Sequence, residues 1–260
     1  MSLHGSEECH VAACLCHAQA DAGELRAMRD ANAITLSRRD LLRAALISTA
    51  AGVLAGTGLE VLAPTAARAQ STLSPAAALQ TLMDGNKRFV EHKLAHFDED
   101  LAILKQNTVE KQEPFASVLS CADSRVPVEL LFDQSIGHIF VNRIAGNIAT
   151  SEIIASIEYG VAVLGTRVMM VLGHSSCGAV KASISAKAVP GQISSLYRYI
   201  RPAVDEAGGD LEGSIKANAR IQAKLLRESS PVVAAALKDS KLDVVAAYYD
   251  LASGKVSLLS

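Results

Sequence analysis

From residue 1 to about residue 36 the apolar positions follow no amphipathic period. A moderately apolar run rich in Ala and Gly then fills residues 44–59, broken by Ser48, Thr49 and Thr57 and ended by Glu60. After Ser74 the period becomes helical. Leu79, Leu82, Met83, Phe89 and Val90 fall near one face, Ser74 suits an N-cap and Pro75 a first helical position, which predicts a helix to about residue 92. His92, His96 and the acidic run Asp98-Glu99-Asp100 read as a solvated connector, and a second helix is expected over 100–109, before Pro114. Short apolar runs then alternate with helical ones: strand 115–121, short helix 128–132, strand 138–143, helix 151–164, strand 167–173, helix 179–187. Residues 193–241 are mostly helical, punctuated by Pro202, Gly208-Gly209 and Pro231, and 242–259 reads as a hairpin around Ala252-Ser253-Gly254-Lys255. No internal repeat is visible. Strands alternating with helices predict right-handed crossovers. The expected fold is α/β: a central, mainly parallel β-sheet flanked by helices, with an N-terminal helical arm and a C-terminal antiparallel hairpin.

Composition narrows the function more than the fold. Of 260 residues, half are hydrophobic and a fifth charged, enough for a sizeable core in one large domain or two small ones. A net charge of −2 gives no broad electrostatic case for nucleic acid, and with Trp absent and aromatics at 4%, base-stacking platforms are not expected either. The five cysteines, Cys9, Cys14, Cys16, Cys121 and Cys177, are odd in number and lopsided in placement, unlike a disulfide framework.

Chemistry concentrates at Gly173-His174-Ser175-Ser176-Cys177-Gly178-Ala179, between the apolar run 168–172 and a helix-like segment. A His and a Cys three residues apart at a strand-to-helix turn can point at one ion, and zinc takes imidazole nitrogen and thiolate sulfur in a tetrahedron. A third ligand must come from elsewhere, and Cys121 also ends an apolar run, 115–119. Either cysteine alone would more often be an inert core residue. Together they end predicted parallel strands, where open α/β sheets place their ligands. Three protein ligands leave one position open, as a catalytic zinc requires.

Cys121-Ala122-Asp123-Ser124-Arg125-Val126 and His174-Ser175-Ser176-Cys177-Gly178-Ala179 resemble the two signature segments of β-class carbonic anhydrases. The likeness runs from about residue 75 to 259 and includes Phe132-Asp133-Gln134, Phe140-Val141-Asn142-Arg143, Ala145-Gly146-Asn147, Ser156-Ile157-Glu158-Tyr159 and Ala246-Ala247-Tyr248-Tyr249-Asp250. It implies reversible hydration of carbon dioxide to bicarbonate and a proton, with one Zn²⁺ per subunit held by Cys121, His174 and Cys177. Asp123, oriented and kept ionised by Arg125, would steer a zinc-bound hydroxide, or would itself ligate zinc only if the site closes. The resemblance also implies substrate contacts from Gln112, Phe140, Tyr159 and the N–H of Gly178, with pocket residues crossing between subunits of a homodimer or higher even homo-oligomer. Some family members carry a tryptophan three residues before the first ligand Cys, anchoring a noncatalytic bicarbonate. Here that position is Val118, which favours the plant-like, open-site branch. Carbon disulfide or carbonyl sulfide hydrolysis on the same site is the rival enzymatic reading, and a noncatalytic zinc-binding module the rival of another class. His92, His96 and His138 are proton-shuttle candidates by chemistry alone.

Upstream, Ser37-Arg38-Arg39-Asp40-Leu41-Leu42 resembles a twin-arginine export motif, and Ala67-Arg68-Ala69 fits a signal peptidase site. The run 44–59 falls short of the ~20 strongly apolar residues a span needs, so no stable membrane anchor is expected after cleavage. Residues 1–69 are read as an N-terminal extension plus a removed signal peptide, residues 70–260 as the enzyme domain, and the location as periplasmic. Met28 would open a more ordinary signal. Cys9-His10 and Cys14-Leu15-Cys16-His17 have metal-binding residue types but precede the export signal, and no site is expected there.

Overall fold

The structure, a computed structural model, describes residues 71–96, 109 and 111–260. The export signal, Cys9, Cys14, Cys16 and, Val109 apart, the helix expected over 100–109 lie outside these residues.

Helix α1, Pro75–Val90, starts as its sequence predicts: Ser74 Oγ accepts from the Ala77 amide at 3.2 Å, and Pro75 needs no donor. Lys87 and Arg88 sit in its last turn, at the negative end of the helix dipole. Ala78 and Leu82 are fully buried beneath it. Gly85 permits the contact, since a Cβ there would lie 1.7 Å from the Phe132 carbonyl oxygen. Buried Asn86 donates to the carbonyls of Leu131 and Gly254 and accepts from the Val256 amide, so α1 is tied to the far end of the chain.

The sheet comprises β1 (Ala116–Ser120), β2 (Ile139–Arg143), β3 (Val168–His174), β4 (Asp243–Tyr249) and β5 (Val256–Leu259) in the order β2-β1-β3-β4-β5. The first three pairings are parallel and β4–β5 is antiparallel, as expected for the hairpin. Every residue of β1 and β3 is buried, because helices cover both faces of these strands and the runs need no polar alternation. Val118, Met170 and Leu172 pack with α1, whereas Leu119, Met169 and Val171 pack with α3 (Ser151–Ala162), α6 (Leu211–Ser229) and α7 (Pro231–Lys238). The remaining helices are α2 (Val128–Leu131), α4 (Gly178–Ser185) and α5 (Tyr197–Glu206), the last preceded by a 3₁₀ turn, Ile193–Leu196.

The differences from expectation are small and physical. β3 runs one residue further, through His174, because Gly173 and His174 still pair with Tyr248 and Tyr249. α4 stops at Ser185, where Ala186 turns left-handed at φ 48°. Pro202, expected to punctuate, lies inside α5. The bond it cannot make leaves only the carbonyl of Arg198 without its helical donor, and Arg198 is exposed.

Candidate metal centre

The centre forms where the two middle strands end. β1 and β3 are adjacent with Ser120 opposite Leu172, so Cys121, just past β1, emerges beside His174, the last residue of β3. Ser176, at φ 57°, reverses the chain and places Cys177 as the N-cap residue of α4. The turn is tied to β4: the Ser175 amide donates to the Tyr249 carbonyl and Ser175 Oγ accepts from the Leu251 amide, each at 2.9 Å.

Cys121, His174 and Cys177 are all buried, and their ligand atoms lie within 4.8 Å of one another. The two sulfurs are 4.0 Å apart. A tetrahedral zinc with Zn–S bonds of about 2.3 Å needs an edge of about 3.8 Å, so the pair fits it closely. His174 Nδ1 lies 2.9 Å from the Ser175 carbonyl, which makes Nδ1 the protonated nitrogen and leaves Nε2 a bare lone pair. That Nε2 is buried and has no partner among the described residues. An orphaned buried acceptor costs about 1–3 kcal/mol, and a metal ion is the partner it lacks. The donor set therefore fits zinc. The Cys177 thiol and the Gly146 N–H, 3.3 Å from Cys121 Sγ, help to pull Cys121 well below the ordinary thiol range. The same sulfur–sulfur contact, together with burial, pushes Cys177 up.

Asp123 and Arg125 sit at the rim as the sequence placed them. Arg125 Nε donates to Asp123 Oδ1 at 2.9 Å and Nη2 to Oδ2 at 2.8 Å, and the Arg125 amide adds a third bond at 3.0 Å. This fork and the Arg125 amide outweigh partial burial and hold the Asp123 carboxyl well below the usual carboxylate range. Asp123 Oδ2 comes within 3.8 Å of His174 Nε2. Gly178 opens α4, with nothing within 4 Å of where a Cβ would stand.

The other pocket candidates are not gathered here. Phe140 pairs with Ser117, four residues before Cys121, which is about 13 Å away at the rise of a strand. Its ring lies 6.1 Å from that of Tyr159, which is 47% exposed. Gln112 is exposed, as are His92, His96 and His138, and none of these three histidines belongs to the cluster. Val118 is core, between Val141 and Met170.

Sequence reasoning missed the residues that hold the loops. Arg143 donates to the carbonyls of Cys121 (3.1 Å) and Asp123 (2.6 Å), clamping the first ligand loop; it lies inside a quoted motif but had no role. Asn218 and Gln222 are buried in α6 and bond to the Gly146–Ala149 loop. Their signal was available: two amides one turn apart, on a buried face otherwise made by Ser214, Ile215, Ala217, Ala219, Ala223 and Leu226.

The carbonic anhydrase family model matches residues 116–256. The carbonic anhydrase of Mycolicibacterium smegmatis is 35% identical over 195 residues, covering 72% of this chain and 94% of that protein. Among solved structures, the β-carbonic anhydrase CcaA superposes with a TM-score of 0.56 at 25% identity, covering 70% of this chain and 95% of its own. A chain from the crystal structures of two tetrameric β-carbonic anhydrases of Sordaria macrospora shares the fold at a TM-score of 0.54 and 21% identity, over 70% of this chain and 96% of its own. With more than half of the chain inside the family model and a relative 35% identical over most of both lengths, this chain belongs to the carbonic anhydrase family, in its β class.

Proposed function

We propose that Cys121, His174 and Cys177 hold the zinc with which this carbonic anhydrase hydrates carbon dioxide to bicarbonate, and that Asp123 stands beside the metal as a hydrogen-bond acceptor rather than as a ligand. The observation that carries the second half is the three-bond grip of Arg125 on Asp123. To turn onto the metal, Asp123 would have to give up that grip. Zinc, when bound, supplies the Lewis acidity that makes hydroxide available near neutral pH, a property for which carbonic anhydrases are the standing example. An ionised Asp123 can only accept, so it takes a hydrogen bond from a group that carries a proton. It thereby fixes the orientation of an attacking hydroxyl and aims a lone pair at the carbon of carbon dioxide. A noncatalytic zinc module would need neither Asp123 nor its fork. Zinc analysis with stopped-flow carbon dioxide hydration tests the reading. Zinc-loaded protein without hydration activity would sink it, and a crystal structure near neutral pH with Asp123 on zinc and Arg125 unpaired would sink the open site.

The substrate pocket, in this reading, is completed by a second copy of the chain, giving a homodimer or higher even oligomer. Gly178 contributes its N–H from the ligand side, and Gln112, Phe140 and Tyr159 come from the partner. Support lies in the separation of Phe140 from its own chain's metal ligands, in the exposure of Ile136, Tyr159 and Val163 beside the edge strand β2, and in the tetrameric state of the Sordaria proteins.

Export by the twin-arginine route is proposed on Arg38-Arg39, the run 44–59 and Ala67-Arg68-Ala69, leaving residues 70–260 as the periplasmic enzyme. Replacing both arginines by lysine should trap precursor in the cytoplasm; normal arrival in the periplasm would refute the assignment.

A further inference from the structure

Helix α6 carries two buried amide side chains that the proposed reaction does not use. Asn218 is 0% and Gln222 1% exposed. Gln222 Oε1 accepts from the Ala149 amide at 2.9 Å, while its Nε2 donates to Asn218 Oδ1 and to the Tyr199 carbonyl, each at 3.2 Å. Asn218 Nδ2 then donates to the Gly146 carbonyl at 2.9 Å, and the Gly146 amide donates to Cys121 Sγ at 3.3 Å. One helix thus grips both ends of the 146–149 loop, and the last link of the chain is a metal-ligand sulfur. The position is closed to a side chain: Gly146 lies at φ +79°, and a Cβ there would stand 2.7 Å from Ile200 Cδ1.

We infer that Asn218 and Gln222 are positioning residues for the Cys121 thiolate, fixing the Gly146 N–H on its sulfur and so tuning the metal that the sulfur ligates. The inference rests on Cys121 being a zinc ligand. The physical need is specific. Two thiolates give a bound zinc more electron density than imidazoles would, which blunts its acidity. An N–H donated to a thiolate draws density back from the metal, and such outer partners also orient the ligand. A purely structural role for the two amides would affect stability and leave the sulfur's electronic state unchanged.

The discriminating experiment uses the full protein loaded with cobalt(II) in place of zinc, read by its thiolate-to-cobalt charge-transfer absorption. Asn218→Leu keeps the side chain's size and removes the donor to Gly146. The expected result is a shift of that band to lower energy, with zinc affinity in chelator competition reduced about 10-fold or more. Leu226→Ala is the control, being on the same helix and fully buried in the other core cluster. It should lower the melting temperature and leave the band where it was. An unmoved band in folded Asn218→Leu, or an equal shift in the control, overturns the inference. Should Asn218→Leu not fold, Gln222→Met cuts the chain one link earlier, and a smaller shift in the same direction is expected; no shift overturns the inference equally. A wild-type protein that binds cobalt without any thiolate band would instead overturn the ligand assignment itself.

Discussion

At the carboxyl ends of β1 and β3 all three ligand atoms are buried and mutually within 4.8 Å, whereas along β2 and α3 the proposed pocket residues lie nearer the surface, Phe140 half-buried and Tyr159 47% exposed. The first region is closed by one chain and supported from every side: by the Arg143 clamp, by Ser175 on β4 and by the Gly146 amide. The second is half a surface. Its aromatic pair lies on an edge strand and the helix beside it, four residues upstream of the metal end. The contrast teaches that ligand geometry here is a property of the subunit, while substrate contact, in the proposed reading, is a property of the assembly.

The most severe way to break that comparison is to remove a ligand. Cys177→Ala should lose zinc and activity together, on the order of 10³-fold or more, because Lewis-acid stabilisation of several kcal/mol leaves with the metal. A folded Cys177→Ala protein with full zinc occupancy would strike Cys177 from the set. Asp123→Asn comes next: zinc is retained, and kcat falls about 10²-fold as the orienting acceptor is lost. Zinc loss in that variant would mean that Asp123 is part of the ligand shell.

Subunit mixing sharpens the comparison directly. Gln112→Ala should keep its zinc and lose about tenfold in kcat/KM, the worth of roughly one hydrogen bond to substrate. Mixed and reassembled with Cys177→Ala subunits, it should regain activity, since a hybrid pair contains one site with an intact metal end and an intact pocket end. Activity no higher than the sum of the separate variants would show that each site is closed within one chain.

The smallest effect is on stability and leaves the chemistry alone. Asp133 is fully buried, and burial opposes its ionisation, yet the amides of His96 and Ala95 and the Arg88 guanidinium, at 2.5 Å, outweigh it and hold the carboxyl below its ordinary range. A depressed folded value means that the stabilisation is present above the unfolded pKa of about 3.9 and is lost as pH falls through the folded value. Asp133→Asn should therefore cost about 3 kcal/mol in neutral denaturant titrations, with the gap from wild type closing in acid. A gap that widens in acid would refute the assignment.

Local pattern along the chain set the elements and the identity of the chemistry. Periods of two and near 3.6, the Ser74-Pro75 cap and the hairpin turn act over a few residues, so the predicted strands and most helices match those observed to within one or two positions. His174 and Cys177 share one turn, and Asp123 and Arg125 share another, so their pairing was also a local matter. Tertiary structure alone decided the rest. Cys121 meets Cys177 only because β1 lies directly beside β3, a neighbour choice set by how the two sheet faces are buried. The Gly146 amide reaches Cys121 from 25 residues away, and Asn218 reaches Gly146 from 72. Pro202, read as a break, is tolerated within α5, which still buries Ile200, Ala203 and Val204 in the fold. Local pattern encodes what a backbone segment prefers. Which distant donor satisfies a buried acceptor is settled only when packing has excluded water from both.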